Sequence, residues 1–580
     1  MQKTESRKGA FRRLLRYLRP HAGALTLSAL LVLVVTASSL LRPILLGDVI
    51  DLVSAGEPFS TVLQLGGWYL CLLTAGVACN MLETWLLQRV GQDVIYAIRR
   101  DLFAHIHRLS LRFFDITPNG RLVTRVTNDV EALNELFSTV LVSMVKNIAL
   151  VVGLAAVMLI LDWRLALLGF VLLPLVCLLT GGFTKLYRSV QRITRTRLSA
   201  LNTFLSEHLA AMKLIQIFHR EQEKTQEFKT RSESLFRSNY REIMVFGIFQ
   251  PVVYWLSILS LGILLFAGSG FVLEGTVTIG TLYVFTSYIR QFYEPIQSLA
   301  EQFGTLQSAL AASEKIFSLF DEEVQVKQPE NPVQLTEPKG KIVFDHVWFS
   351  YDGEEWVLRD VSFTVEPGQT VAFVGATGAG KSSILNLIGR YYDIQKGKIT
   401  IDGVDIRDLD TDSLRRAVGQ VQQDVFLFTG DIRSNIRLLD TEISDSAVEE
   451  AARTVNADGF IRQLEHGYEE AVTERGSTLS AGQRQLLSFA RTLAHDPAIL
   501  VMDEATANID TGTELLIQEA LGRLMQGRTT IVVAHRLSTI QHADKIMVMH
   551  KGRLREQGTH QELLAQDGIY KKLYDLQMVG

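Results

Sequence analysis

Cysteine is nearly absent from the 580 residues: Cys71, Cys79 and Cys177 are the whole complement. Each sits inside an apolar run, so neither a disulfide framework nor a zinc site is encoded, and the three read as small packing residues. Proline is scarce, at 12 residues, and no low-complexity tract interrupts the chain. There is no excess of positive charge either. A formal net charge of −4 and a pI near 6.3 leave no strongly basic domain, which argues against nucleic acid as a partner. A secretory leader with an apolar h-region is not in evidence: residues 1–20 set Phe11, Leu14, Leu15 and Leu18 against Arg12, Arg13, Arg16 and Arg19. That pattern predicts an amphipathic helix lying in a membrane interface.

What the chain has in abundance is apolar length. Mean hydropathy is +0.17, and the runs long enough to cross a membrane are confined to the first half. Ala22–Leu41, Pro58–Leu82, Leu136–Leu161, Leu165–Thr184, Ile243–Leu273 and Gly275 to about Leu299 make six, each near the roughly 20 helical residues that a hydrocarbon core of about 30 Å requires. So many runs in 300 residues are more than soluble cores would need. Arg and Lys collect in the N-terminal segment, in Glu83–Glu135 and in Lys185–Glu242, which places those connections in the cytoplasm and the short ones outside. The second half of the chain is then cytoplasmic too, below a cell membrane, a bacterial inner membrane being expected. Helical periodicity persists through both long connections, so the spans are predicted to extend beyond the bilayer and to turn near Phe113–Gly120 and near His208–Lys213. On the last span Phe285, Tyr288 and Phe292 share a face, with Arg290 and Glu294 nearby. They are candidates for contact with an amphipathic substrate, against the alternative of lipid- or helix-facing aromatics.

Residues 21–320 thus read as the membrane domain, 321–340 as a polar linker with three prolines, and 341–580 as a mixed α/β domain in which strands and helices alternate. In the last of these, Thr370–Val374 is an apolar strand that runs into Gly375-Ala-Thr377-Gly378-Ala-Gly380-Lys381-Ser382-Ser383. The spacing is that of a phosphate loop: glycines let successive N–H groups converge on phosphate oxygens at a helix N-terminus. Lys381 reaches the β/γ-phosphates, and the Ser382 hydroxyl ligates Mg²⁺. A second apolar strand, Ile499–Met502, ends in Asp503 and Glu504. Carboxylates delivered beside a phosphate loop suit two tasks, Asp503 holding the Mg²⁺ shell and Glu504 polarising the attacking water.

These motifs, together with Leu479-Ser480-Ala481-Gly482-Gln483, Gln423 in Val421–Phe426, and His535 in Ala534–Ser538, resemble the nucleotide-binding domain of an ATP-binding-cassette transporter. The whole chain is similar to an exporter half-transporter of that family. The resemblance implies an all-α six-helix transmembrane domain followed by an α/β P-loop ATP-binding-cassette domain. It also implies ATP and Mg²⁺ as cofactors and ATP-driven efflux of amphipathic small molecules, drugs or lipids, with membrane lipid around the spans. By the same resemblance Tyr351 stacks on adenine, Gln423 reaches Mg²⁺ and water, and His535 bonds the γ-phosphate. Ser480, Gly482 and Gln483 open a helix toward the nucleotide of a second half-transporter subunit. Asn508 to Asp510 form the loop that senses the other domain, and Thr473–Gly476 resembles an element of exporters rather than importers.

Two departures stand out. Ala481 replaces the usual glycine, and Ala507-Asn508-Ile509-Asp510 replaces the commoner Ser-Ala-Leu-Asp. In heterodimeric exporters the subunit with an intact catalytic glutamate often carries the altered signature, so the resemblance favours a heterodimer over a homodimer. The competing function is an ATP-gated channel or a regulatory membrane subunit, which Glu504 and His535 disfavour. No peptide-processing domain fits before Ala22.

Overall fold

The computed structural model describes residues 12–438, 440–473, 476–503, 511–533 and 540–578, and only the backbone of residues 300, 301, 511–513, 577 and 578. The chain forms two units. One comprises Met1–His107 with Asn119–Glu322, the other Arg108–Pro118 with Glu323–Gly580.

The first unit is built of long helices: α1 (Ala22–Ser54), α2 (Phe59–Ile106), α4 (Asn119–Leu161), α5 (Trp163–Ala210), α7 (Glu221–Leu273) and α8 (Ile279–Phe320). The short helices α3 (Leu111–Ile116) and α6 (Met212–Ile217) mark the turns between α2 and α4 and between α5 and α7. At about 1.5 Å per residue, the 53 residues of α7 span roughly 80 Å, far more than a hydrocarbon core of about 30 Å. The helix is thus much longer than a span needs. The second turn falls at Ala211–Arg220, a few residues later than expected. Its start is fixed where Ala211 leaves helical geometry.

Five helical runs among the described residues are long and apolar enough to cross a membrane: Arg12–Ser54, Phe59–Ile106, Asn119–Leu161, Trp163–Ala210 and Glu221–Leu273. The expected sixth, α8, is a helix of 42 residues but does not reach that apolarity. Its surroundings explain the difference. Val284, Phe285, Tyr288, Ile289, Phe292 and Tyr293 of α8 are buried in a cluster with Leu154, Leu165, Val176 and Leu264 of the other helices. A helix enclosed by protein does not need an apolar face all round. Residues 12–18 are helical and run through the turn Arg19–His21 into α1. Leu14 is buried and the Tyr17 hydroxyl donates to Asp101 of α2 at 3.2 Å, so this segment packs against protein.

Helices α1 and α8 touch through glycine. The Gly280 amide donates to Asp51 Oδ1 at 2.7 Å, and a Cβ added at Gly280 would lie 2.1 Å from the Gly47 carbonyl oxygen. Only a residue without a side chain permits that approach.

In the second unit, strands β3 (Thr370–Val374), β6 (Val418–Val421), β9 (Ile499–Asp503), β10 (Thr529–Val533), β11 (Lys545–His550) and β12 (Arg553–Gly558) form a sheet of order β12-β11-β3-β10-β9-β6, parallel except at β12. β3, β9 and β10 are almost wholly buried, as their unbroken apolar runs require of a parallel sheet covered on both faces. A second sheet has the order β2-β1-β4-β5, from Leu358–Val365, Ile342–Phe349, Lys396–Ile401 and Val404–Asp405. Two cores flank the large sheet. Helix α9 (Lys381–Ile388) contributes Ile384, Leu385 and Leu387 to the core beneath the second sheet. Helix α10 (Ala481–Ala494) contributes Leu486, Leu487 and Phe489 to the other.

The expected linker carries no helix, as its prolines dictate, yet it is tied down. The Val333 amide donates to the Asp408 carbonyl at 2.9 Å, and the Asp402 carboxylate accepts from the amides of Lys339 and Lys341 at 2.8 Å each.

Replacing Gly280 by alanine forces backbone apart at the α1–α8 contact and is expected to cost roughly 1–3 kcal/mol, lowering the thermal unfolding midpoint of the full chain in detergent. Gly262→Ala, where a Cβ meets nothing within 4 Å, serves as the control. Equal midpoints for the two variants would contradict the packing argument.

Candidate functional site

The site grows from the turn between β3 and α9. Gly375, Gly378 and Gly380 take φ of 148°, 78° and 97°, the left-handed region that an L side chain rarely adopts. Space forbids a side chain at Gly375 as well, since its Cβ would stand 2.2 Å from the Met549 carbonyl oxygen. Gly380 is the residue from which α9 starts, so the first free amides of that helix open into the turn. Lys381 is buried, and its ammonium donates to the carbonyls of Gly375 at 2.6 Å and Ala376 at 3.2 Å. Thr377, Gly378 and Ser382 are exposed along the turn. Positive-φ glycines, an open helix terminus, a lysine and an exposed hydroxyl form a donor set that fits a nucleotide's phosphates and their cation.

Register brings further groups to the same edge. Val533 of β10 lies opposite both Phe373 of β3 and Asp503 of β9, and Val421 of β6 lies opposite Met502 of β9. The parallel strands therefore end together, with the phosphate loop leaving β3, the Asp503 carboxylate closing β9, and Gln423 exposed two residues past β6. Glu504, Asn508, Asp510 and His535 of the expected site lie outside the described residues, as do Glu474 and Arg475 of Thr473–Gly476.

Tyr351 meets the loop from the side: its hydroxyl lies 3.0 Å from Ser383 Oγ, and its ring packs edge-on against Tyr392 at 5.0 Å between centroids. Ser480 caps α10, accepting from the Gln483 amide at 3.2 Å, while the Gln483 side chain accepts from the Ser480 amide at 2.9 Å. This capping box occupies the Gln483 side-chain oxygen in shaping the turn itself. Gly482 is buried and Ala481 exposed, so the added methyl faces outward from the first turn of α10. Because α10 and α9 root in different cores, the two motifs sit on separately supported elements.

Three residues that motif reading missed shape these parts. Asn435, 2% exposed, brackets the Gln423 loop: it accepts from the Phe428 amide and donates to the Phe428 carbonyl, both at 2.8 Å. Arg491 of α10 donates to the carbonyls of Asn435 at 2.9 Å and Phe426 at 3.2 Å, and burial lowers its guanidinium from the ordinary value. Tyr392 donates to the carboxylate of Asp115 on α3. Burial, followed by that carboxylate, raises the phenol above its usual value, which keeps it a donor. The only sequence signal for any of them is a polar side chain within an apolar stretch, and such a signal is common.

The first unit contains a cavity of about 1350 Å³ among α4, α5, α7 and α8, lined by Phe183, Tyr187, Phe246 and Phe249 and by polar residues of α5 and α8. The trio considered for substrate contact lies elsewhere. Phe285 and Tyr288 are fully buried and Phe292 nearly so, in the helix core. The Tyr288 hydroxyl donates to the Leu40 carbonyl at 2.6 Å. Their shared face packs against protein because α8 is the enclosed helix of the unit.

Residues 25–296 match the model of the ABC transporter transmembrane region, and residues 358–507 that of the ABC transporter family. A putative ABC transporter ATP-binding protein, exp8, of Streptococcus pneumoniae serotype 4 is 41% identical over 100% of this chain and 99% of its own length. An ATP-dependent lipid A-core flippase of Syntrophus aciditrophicus is 34% identical over 98% of this chain and 95% of its own. The structure of a bacterial Atm1-family ABC exporter with ATP bound superposes with a TM-score of 0.76 at 29% identity, covering 97% of this chain and 98% of the other. The chain belongs to the ATP-binding-cassette transporter family. Within it, the order of a helical membrane domain and a single nucleotide-binding domain makes it an exporter half-transporter, a multi-pass membrane protein whose nucleotide-binding domain is cytoplasmic and binds ATP.

Asn435→Ala removes the partner of the Phe428 amide and of the Phe428 and Asp431 carbonyls and is expected to cost about 1–3 kcal/mol. The full chain should unfold at lower temperature and, with the Gln423 loop loosened, release phosphate from ATP more slowly. Unchanged stability and turnover would show that the loop is held by other contacts.

Proposed function

We propose that the chain is one subunit of an ATP-driven translocase that moves amphipathic small molecules, drugs or lipids out of the cytoplasm or inner leaflet by alternating access. The observation that carries this reading is the combination, in one chain, of a phosphate-loop edge bearing Asp503 and Gln423 with a helical unit enclosing a large cavity. The flippase named among the relatives is consistent with a lipid cargo.

In this reading the amides of Gly375–Ser383 and the Lys381 ammonium hold the phosphates, while Ser382, Asp503 and Gln423 hold Mg²⁺. Glu504 polarises the attacking water and His535 bonds the γ-phosphate. Tyr351 stacks on adenine. Ser480 and Gly482 present the N-terminus of α10 to the partner subunit's nucleotide, Gln483 acting through the cap, and Asp510 reports across the dimer. Half-transporters of this class work as dimers. The exposed methyl of Ala481, in a chain that retains Glu504, supports a partner of different sequence whose own site lacks the glutamate.

Coupling is assigned to the two cytoplasmic turns. The segment Arg108–Pro118, with α3, groups with the nucleotide-binding unit, and the Asp115–Tyr392 hydrogen bond reaches the ring that packs on Tyr351. Closure of the nucleotide site would thus be felt at the chain link between α2 and α4.

In proteoliposomes of the assembled transporter, Glu504→Gln is expected to lower ATP hydrolysis by two orders of magnitude or more while retaining ATP binding. Retained hydrolysis would remove Glu504 from the chemistry. Tyr392→Phe is expected to leave basal hydrolysis within about twofold and to reduce transport per ATP severalfold; an unchanged ratio would dissociate this hydrogen bond from coupling.

A further inference from the structure

The cavity of the helical unit has an uneven chemistry. Its apolar part is a stack: Phe183 and Phe249 lie face to face, 3.7 Å between centroids and 6° from parallel, with Phe246 tilted beside them. One and more turns further along α5, Arg188, Arg192 and Arg195 line the same cavity at i, i+4 and i+7, on one face of the helix. Among the described side chains, these three guanidinium groups face one lining carboxylate, Glu135 of α4. Among the described residues none of the three arginines makes an ion pair; Arg188 rests over the Phe303 ring at 5.4 Å. Arg197, two residues on, opens instead into a separate pocket with Glu233, so the stripe is not merely the general basicity of a cytoplasmic helix.

Size and position add to this. The volume of about 1350 Å³ exceeds the roughly 300–1,000 Å³ of a drug-sized pocket. The aromatic stack sits where α5 leaves its apolar stretch, and the arginines follow it along the next roughly three turns of the helix. A molecule drawn from the inner leaflet would meet aromatics with its tail and cations with its head. Arg is suited to the head because its planar fork pairs with carboxylate or phosphate through two parallel hydrogen bonds.

We propose that this cavity binds anionic lipids of the inner leaflet, the acyl chain lying against Phe183, Phe246 and Phe249 and the carboxylate or phosphate paired with Arg188, Arg192 and Arg195. The proposal rests on the export reading for the use made of the site, but binding itself does not require turnover. A cationic amphiphile of the same length meets three like charges there and is disfavoured.

The test compares probes with one tail and different heads. Equilibrium binding of oleate, oleyl alcohol and oleylamine is measured on the full chain in detergent micelles, for the parent and for a variant carrying Arg188→Gln, Arg192→Gln and Arg195→Gln. Oleate should bind at least tenfold more tightly than oleylamine, and the triple variant should lose that preference. Arg192→Lys should retain part of it, and Arg197→Gln, in the separate pocket, all of it. Thermal unfolding of each variant checks that the fold is intact; if the triple variant fails to fold, the single Arg192→Gln and Arg195→Gln variants carry the comparison. Equal affinity for oleate and oleylamine, or oleate binding unaltered by the arginine changes, overturns the site. Selective binding without ATP-dependent movement of oleate in proteoliposomes leaves the site standing and counts against the export reading. ATP-driven movement of a cationic amphiphile with no selective oleate binding does the reverse.

Discussion

The parallel register of β3, β10 and β9 is the constraint from which the cytoplasmic half of the molecule follows. Hydrogen bonds between these strands fix where each one ends, and Phe373, Val533 and Asp503 fall in line. A slip of one residue would carry Asp503 out of line with the end of β3. The groups that leave the sheet at this edge are accordingly delivered together: the glycine turn, the Asp503 carboxylate, and Gln423 beyond β6. Packing on both sides of the sheet then roots α9 and α10 in separate cores.

The membrane half obeys a different economy. Five helical runs present enough apolar length to satisfy a bilayer, and the sixth helix, α8, is spared that demand because its neighbours enclose it. That enclosure explains why Phe285 and Tyr288 serve as core. It also leaves a mixed lining for the cavity, in which α5 contributes both aromatic stacking and positive charge. The backbone approach at Gly47 and Gly280 closes the opposite end of the α1–α8 pair. The length of the helices beyond the bilayer follows from unbroken periodicity in the sequence, and their turns at α3 and α6 from local breaks such as Thr117-Pro118.

Much of this was written in short-range pattern. The phosphate loop is legible because its glycines answer to φ and to space, and the apolar strands because burial on both faces leaves no polar positions. The capping box of Ser480 and Gln483 is a spacing rule as well. What the sequence hides is pairing across distance. Nothing local marks Asp115 as the partner of Tyr392, 277 residues away, or Asn435 as the bracket of Phe428, since each is an ordinary polar residue until the fold supplies its neighbour. The aromatic face of α8 left two readings open for the same reason, and its packing against the other helices is the helix-facing one: periodicity identifies a face without identifying what covers it. Residues 321–340 likewise read as a polar linker from their prolines, which says nothing of the Asp402 carboxylate and the Asp408 carbonyl that hold its backbone.

The central claim is that hydrolysis at this edge drives material across the membrane rather than opening a passage. The most direct measurement is the internal concentration of a labelled amphiphile in inside-out vesicles containing the assembled transporter, followed with ATP and with a non-hydrolysable analogue. The account predicts accumulation above the external concentration with ATP and none with the analogue. Equilibration to the external concentration with either nucleotide would contradict it and identify a gated channel.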